Sequence, residues 1–273
     1  MKNSVIAEIG WNHMGDNDLA ASMIVSAQES GADIIKFQYW DPKFLKEGPW
    51  DIDGRREIYE MAALDRNKIA FLKDSVEGMG CEFLISVFGT IGANFIKDLG
   101  IDNIKIPSHE IANFSLVEFC AENFKNIYLS AGAATSEEVS RSVEILQSKD
   151  SDFTLMHCIS SYPCPESNIN LPRLEWLKTL HSKIGFSDHT EGSLMPSLAV
   201  TLGASVIEKH FTTDKNLPGR DNKFALDPAE FKLMTKQIKL TENAMIDHGK
   251  EFQDLELDTM QNYRGRWEPQ DYK

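Results

Sequence analysis

The sequence predicts a single α/β domain, a (β/α)8 TIM barrel, and three observations support this fold class. Eight short apolar runs alternate with segments that have the periodicity of amphipathic helices. These units fill about 240 residues, close to the size typical of this barrel. Polar and charged side chains collect where the runs end, which is where barrel enzymes carry their active sites. An open, doubly wound sheet is the structural alternative.

The predicted strands are short β-type runs, each followed by a polar loop and then a helical segment. Right-handed crossovers between them would place every helix outside the barrel. The eight strands are predicted at residues 5–9, 34–38, 82–86, 103–106, 126–130, 154–157, 183–187 and 206–210.

The segments between the strands have amphipathic periodicity, and two glycines, Gly31 and Gly203, stand where helix C-caps are expected. The clearest helices are predicted at residues 19–30, 67–79, 136–148 and 171–181. One connection is unusually long, residues 39–66, and is rich in Pro, Gly, Trp and charged residues. Long loops in compact domains are often functional, so this segment is a candidate lid.

Composition excludes several classes of function. At a net charge of −14 the chain lacks the basic face that nucleic acids or anionic membranes require. The apolar run near the N-terminus is too short for a signal sequence or a membrane span. The four cysteines form no CxxC pair and look like core residues of a reducing compartment, so a cytoplasmic location is expected.

Two histidines, His189 and His210, end neighbouring predicted strands and could converge on one divalent ion. Imidazole with oxygen ligands suits Mn²⁺, Fe²⁺, Zn²⁺ or Co²⁺. The alternative is that each histidine is only a hydrogen-bonded strand-end residue.

Cations and hydroxyl groups at other strand ends predict a site for an anion such as phosphate or carboxylate. A buried ammonium group needs an anionic partner, although any single serine could be a turn residue. Glu8, Asp188 and Asp221 are candidate acids or bases, or ion-pair partners of nearby cations. The anion-binding candidates are Lys36, Lys105, Ser86, Ser108, Ser130, Ser160 and Ser187.

Seven motifs carry a resemblance to a known family. They are AEIGWNHMGD, GADIIKFQ, IKIPSHEIAN, LSAGAAT, HCISSYPCP, GFSDHT and VIEKHFTTDKNLPGRDNKFALDP, in collinear order over residues 4–245. Together they resemble the barrel domain of the sialic acid synthase (N-acetylneuraminate synthase) family. That resemblance implies a C–C bond-forming transferase that condenses phosphoenolpyruvate with the aldehyde of an N-acylated amino sugar. The products would be a nonulosonic, sialic-acid-like acid and phosphate released by C–O cleavage.

The resemblance also implies roles for individual residues. His189 and His210 would hold a divalent metal, Mn²⁺ with Mg²⁺ or Co²⁺ as alternatives, that polarises the aldehyde. Phosphoenolpyruvate would lie against the two lysines and five serines of the anion site. Glu8 would stabilise the cationic C2 of the enolpyruvate. Gln38, Tyr162 and Asp221 would contact the sugar, with Asp221 moving a proton or contacting metal-bound water.

The sequence departs from the family pattern near the anion site. Pro107 and His109 replace the usual glycines of a Gly-Ser-Gly motif, ISVF replaces STPF, and Ser160 stands where Asn or Glu is common. These changes leave the phosphoenolpyruvate assignment in place but leave the sugar open, from a mannosamine derivative to a 6-deoxy diamino sugar.

The predicted organisation is a phosphoenolpyruvate-condensing barrel at residues 1–248 and a polar tail at 249–273. Family members usually continue into an antifreeze-like domain that supplies an arginine to the partner of a swapped dimer, and the sequence is expected to be the barrel alone. A homodimer or a separate chain could supply that arginine, or Arg264 or Arg266 of the tail could replace it. A lid role for residues 39–66, including Trp40, Trp50 and Arg55, is a further expectation.

Two other functions remain open from the sequence. A Schiff-base aldolase would use Lys36, Lys105 or Lys209 as nucleophile, but it gives no role to the two histidines. A non-catalytic sugar-binding barrel is the second alternative, disfavoured because the histidines, lysines and carboxylates are all present.

Overall fold

Eight parallel strands close into a barrel in sequence order, with β8 pairing back to β1. The computed structural model describes residues 3–267, and the barrel unit extends through Glu242. The predicted TIM barrel is therefore confirmed, with every predicted strand in place. The strands are β1 (Ser4–Gly10), β2 (Ile34–Tyr39), β3 (Glu82–Val87), β4 (Asn103–Ile106), β5 (Asn126–Ser130), β6 (Asp152–Cys158), β7 (Ile184–Asp188) and β8 (Val206–His210).

Helices connect the strands, and the predicted ones lie within about two residues of their expected ends. Gly31 and Gly203 follow α1 and α8 with φ of +96° and +91°, a left-handed conformation that only glycine adopts without strain. The helices are α1 (Asn17–Glu29), α2 (Arg55–Met61), α3 (Arg66–Gly78), α4 (Gly89–Lys97), α5 (Phe114–Asn123), α6 (Ser136–Ser148), α7 (Arg173–Leu180), α8 (Leu194–Thr201) and α9 (Pro228–Ala244).

The long connection between β2 and β3 is more ordered than its sequence indicates. It contains two 3₁₀ turns, Pro42–Phe44 and Pro49–Asp51, followed by α2. The indole of Trp40 donates a hydrogen bond of 2.8 Å to the carbonyl of Tyr59. Prolines set φ at both turns, and the hydrogen bond between Trp40 and Tyr59 ties two distant parts of the connection together.

The barrel interior has an apolar lower layer and a charged upper layer. Side chains of a strand alternate between the interior and the helices, so residues two apart on one strand share a face. The lower layer is Ile6, Ile34, Leu84, Tyr128, Met156 and Val206. The upper layer lies two residues further along the same strands. It includes Glu8, Lys36, Ser86, Ser130 and Glu208, all of which are buried.

Residues 243–267 belong to a second unit. They contain a 3₁₀ turn, Asp254–Glu256, and a π-helical turn, Thr259–Tyr263. Arg266 lies over the rings of Tyr263 and Trp267. Residues 268–273 of the predicted tail lie outside the described part of the chain. Within residues 3–267, no helix has the length and apolar character needed to cross a membrane.

Candidate active site

A cavity of about 250 Å³ opens at the carboxyl ends of the strands. The predicted catalytic, substrate-binding and metal-binding residues line it, with Ser160 as the exception. Those that line it are Glu8, Lys36, Gln38, Ser86, Lys105, Ser108, Ser130, Tyr162, Ser187, His189, His210 and Asp221. Residues from eight different strand ends thus converge on one space, as the barrel topology requires.

Ser160 is exposed and lies beside the cavity rather than in its lining. Its hydroxyl is 3.9 Å from the sulfur of Cys158. A Cβ atom on Gly132 would be 2.7 Å from Ser108 Oγ, 2.8 Å from Ser160 Oγ and 3.0 Å from the carbonyl oxygen of Cys158, so a larger residue would displace the two serine hydroxyls. This glycine lets its backbone N–H donate to Ser108 Oγ at 3.2 Å.

The centre of the cavity floor is Glu208, a residue at the end of β8 to which the sequence analysis assigns no role. Lys105 Nζ donates to its Oε1 at 2.6 Å, and Ser187 Oγ donates to the same oxygen at 2.9 Å. Lys36 Nζ lies 3.6 Å from its Oε2. Burial raises the pKa of Glu208, but the two ammonium groups outweigh burial and hold the pKa well below its usual range.

Lys36 joins Glu208 to a second carboxylate, Glu8, on the neighbouring strand. The distance from Lys36 Nζ to Glu8 Oε2 is 2.9 Å, and the ammonium group also donates to Ser86 Oγ at 3.1 Å. Gln38 Nε2 donates to Glu8 Oε1 at 2.5 Å. Burial raises the pKa of Glu8, with Lys36 opposing it. The cavity floor is therefore a chain of alternating charges from Glu8 to Lys105.

Several buried polar atoms of this cavity make no hydrogen bond within the described residues. They are Glu208 Oε2, Ser130 Oγ and His210 Nδ1. Native proteins rarely leave such atoms unpaired without a ligand, ion or water to satisfy them. The arrangement thus indicates a site built to receive a polar ligand.

The rings of His189 and His210 lie 5.5 Å apart between centroids, with Tyr162 packed 4.1 Å from His189. The Nδ1 atom of His189 is 2.9 Å from the carbonyl oxygen of Ile159, which fixes that ring and leaves Nε2 for a ligand. His210 Nδ1 lies 3.6 Å from Asp221 Oδ2. Imidazole is a good ligand for divalent transition-metal ions, but residues 3–267 contain no group of three or more His, Cys, Asp or Glu placed to hold a metal ion.

Burial affects the protonation of this pair and of Asp221. It lowers the pKa of His210 well below its usual value, so this imidazole is neutral and able to bind a metal. Burial also lowers the pKa of His189, but the neighbouring Cys158 outweighs burial and raises it overall. For Asp221, burial raises the pKa to about 6.

Asp188 and Lys209 face away from the cavity, towards the helices. Lys209 Nζ donates to Asp188 Oδ2 at 2.6 Å and to the carbonyl oxygen of Thr190 at 2.5 Å. The backbone N–H of Thr190 donates to Asp188 Oδ1 at 2.9 Å. Asp188 is therefore an ion-pair partner rather than an acid or base of the site, and Lys209 cannot act as the nucleophile there.

Other lining residues were not predicted from the sequence. Cys158 was interpreted as a core cysteine, yet its sulfur lies in the cavity lining, 3.8 Å from His189 Nδ1. Cys158 lies on β6 two residues beyond Met156, which faces the barrel interior. This spacing is the sequence signal that could have placed Cys158 in the lining. Trp11 and Arg220 line the cavity from loops, where periodicity gives no direction, and Tyr59 lines it from α2, a short helix within the connection between β2 and β3.

The NeuB family model matches residues 23–250 of the chain. The chain belongs to the NeuB family. The N,N'-diacetyllegionaminic acid synthase of Legionella pneumophila is 33% identical over 270 residues, covering 93% of this chain and 76% of that protein. The pseudaminic acid synthase of Campylobacter jejuni is 34% identical over 256 residues, covering 89% of this chain and 75% of that protein.

A solved NeuB-like structure is similar throughout the barrel. The crystal structure of the N-acetylneuraminic acid (sialic acid) synthetase from Leptospira borgpetersenii, in complex with citrate, superposes with a TM-score of 0.87 at 31% identity. The match covers 97% of this chain and 92% of that one. The predicted family and the predicted enzyme class, a phosphoenolpyruvate-dependent synthase of the sialic-acid type, are therefore confirmed.

Proposed function

We propose that this NeuB protein condenses phosphoenolpyruvate with the aldehyde carbon of an N-acylated amino sugar, giving a nonulosonic acid and phosphate. The observation that carries the proposal is the buried chain of charges through Lys36, Glu208 and Lys105, together with the Ser130 hydroxyl, which makes no hydrogen bond within the described residues. Such a floor suits a small, highly charged anion. The names of the relatives, synthases of diacetyllegionaminic and pseudaminic acids, support a sugar acceptor.

Phosphoenolpyruvate would bind deep in the cavity. Lys36 and Lys105 supply positive charge, and Ser130 Oγ is buried without a hydrogen bond in the described protein, so it is ready to donate to an anionic oxygen. Ser108 lies beside the backbone N–H of Gly132 and adds a second hydroxyl. Because these donors are preorganised, little reorganisation accompanies binding or departure of the phosphate.

The sugar would bind above the phosphoenolpyruvate, towards the mouth. Tyr162 packs against both histidines there, and Asp221 reaches over the same space from the loop after β8. Gln38 is held by Glu8 and presents its remaining amide atoms to the cavity. We assign Asp221 to proton exchange with the sugar and Tyr162 to orientation of its reacting end.

His189 and His210 would hold a divalent ion, for which Mn²⁺ is the first candidate and Mg²⁺ or Co²⁺ the alternatives. When bound, such an ion polarises the sugar aldehyde and so makes its carbon more electrophilic. The fixed ring of His189 and the neutral imidazole of His210 support this role.

In the condensation, C3 of phosphoenolpyruvate forms a bond to the aldehyde carbon and positive charge develops on C2. Glu8, a buried carboxylate next to Lys36, stabilises that charge. Water adds to C2, and the bond between C2 and the bridging oxygen then breaks. Lys105 and Ser130 hold the departing phosphate, and Asp221 transfers the proton that the new hydroxyl requires.

The decisive experiment uses phosphoenolpyruvate labelled with ¹⁸O at the bridging oxygen, Mn²⁺ and a panel of aldoses. C–O cleavage puts the label in the released phosphate, whereas P–O cleavage would leave it in the sugar product. If none of the aldoses in the panel supports the release of phosphate, the proposed condensation is refuted. Full activity after EDTA treatment would refute the metal requirement.

Sodium borohydride with pyruvate tests the Schiff-base alternative. Burial lowers the pKa of Lys36, but its ion pairs outweigh burial and raise the pKa overall, whereas for Lys105 burial outweighs the ion pair and lowers the pKa. Both amines are held by carboxylates, Lys36 by Glu8 and Lys105 by Glu208, so neither is free to approach a carbonyl carbon. We therefore expect no covalent adduct by mass spectrometry. An adduct on either lysine would establish the aldolase mechanism instead.

A further inference from the structure

A second cavity, of about 660 Å³, lies beside the catalytic one under the connection between β2 and β3. We call it the apolar groove, because aromatic and aliphatic side chains form most of its wall. The principal ones are Trp40, Phe44, Leu45, Trp50, Phe88 and Ile91.

The apolar groove and the catalytic cavity share a wall. Tyr59, Phe88 and His109 line both. His109 stacks on Phe88 with ring centroids 5.3 Å apart and planes 13° from parallel, and Trp40 packs edge-on against Phe88 at 6.1 Å. The partition is therefore only one layer of side chains thick. His109 is also one of the residues that depart from the glycine of the sialic acid synthase motif.

The groove exposes apolar side chains that nothing in the described barrel covers. Ile91 is 61% exposed and Phe44 is 59% exposed, although both belong to its wall. Contiguous apolar surface in a concave site is typical of ligand pockets. The ionisable groups in the lining are Asp41, Lys46, His109 and Glu110. Two carboxylates against one ammonium group disfavour an anionic occupant, so a neutral apolar group fits best.

We propose that the apolar groove holds an acyl substituent of the sugar acceptor while the aldehyde carbon lies in the catalytic cavity. The inference rests on the proposed function and adds a substrate class, aldoses whose amino group carries an acyl chain longer than acetyl. The substituent would reach the groove over the top of Tyr59, Phe88 and His109, the single layer of side chains that borders both cavities. The volume far exceeds what an acetyl group fills, and each buried methylene strengthens binding.

The test compares N-hexanoylmannosamine with N-acetylmannosamine as acceptors for the Mn²⁺-loaded full chain. We expect kcat/KM for the hexanoyl sugar to be about tenfold higher than for the acetyl sugar. Ile91→Trp fills the groove and should bring this ratio to about one. Asn94→Trp places the same ring on the exposed side of α4, outside the groove, and is the matched control that should keep the wild-type ratio.

Calorimetric titration with the two sugars separates failure of this inference from failure of the proposed function. One outcome is that the hexanoyl sugar binds about tenfold more tightly than the acetyl sugar, with the difference lost in Ile91→Trp, while no phosphate is released. In that case the groove assignment stands and the proposed condensation is wrong. A wild-type ratio near one in both turnover and binding would overturn the groove assignment. The groove assignment would also be overturned if Ile91→Trp changed the oligomeric mass in solution but left the hexanoyl-to-acetyl ratio of kcat/KM unchanged. In that case the groove is a contact between copies of the chain.

Discussion

Strands β7 and β8 build two buried charge clusters back to back, and the clusters differ in how completely they are satisfied. The inner cluster pairs Glu208 with Lys36 and Lys105 and leaves Glu208 Oε2 without a hydrogen bond in the described protein. The outer cluster pairs Lys209 with Asp188, and backbone groups of Thr190 complete it. Adjacent residues of one strand, Glu208 and Lys209, thus serve opposite purposes.

This difference separates function from stability. A buried ion pair that is fully hydrogen-bonded has nothing left to offer a ligand, so its role is to hold β7 and β8 in register behind the site. An incompletely satisfied cluster is less favourable for folding but presents charge to substrate. On this basis we propose that the inner cluster serves the site and the outer one the scaffold.

The largest expected effect comes from the inner cluster. Lys105→Met removes a preorganised cation from the proposed phosphate site, so phosphate release should fall by about 10³-fold. Lys36 remains beside Glu208, so the variant should stay folded by circular dichroism. Activity within tenfold of the wild type would show that the inner cluster is structural as well.

Lys209→Met tests the outer cluster. It leaves the carboxylate of Asp188 buried without its cation, which should lower the free energy of unfolding by about 3 kcal/mol. Urea denaturation measures this loss. Activity per folded molecule should change by less than about threefold, because the side chain faces the helices. A much larger loss of turnover in well-folded protein would erase the distinction between the clusters.

His13 extends the comparison to a buried titratable group with no carboxylate within ion-pair distance among the described residues. Burial lowers its pKa to about 4, against 6.5 when it is exposed. The unfolded chain therefore takes up a proton first as pH falls, and stability is lost between pH 6.5 and 4. His13→Gln should reduce the loss between pH 7 and pH 5 by about 2 kcal/mol. Identical pH profiles in urea denaturation would show that His13 is already charged in the fold.

The smallest effect is expected at an exposed pair with the same geometry as the outer cluster. Lys125 Nζ and Asp102 Oδ2 lie 2.6 Å apart, but their side chains are 74% and 51% exposed. Lys125→Ala should cost no more than about 0.5 kcal/mol in urea denaturation, because water screens the pair. A loss close to that of Lys209→Met would mean that burial is not what strengthens the outer cluster.

Much of the site was predictable because a barrel turns strand order into spatial order. Once the chain is read as eight βα units, residues at the carboxyl ends must meet, which is why His189, His210 and Lys105 were found from the sequence. Glu208 was given no role, although it lies two residues before His210 and must share its face. What the strand pattern could not give is its pairing with Lys36 and Lys105, which come from strands far away in the chain.

The sequence by itself determined the fold class, the order of the strands and the end of the barrel that carries the chemistry, because hydrophobic periodicity is a local property. Only the tertiary structure decided that Lys209 pairs with Asp188, that Ser160 lies outside the lining, and that Tyr59 and His109 stand between two cavities. Those positions depend on contacts between residues far apart in the chain, which no local pattern records. Loop side chains have no period from which their direction can be read.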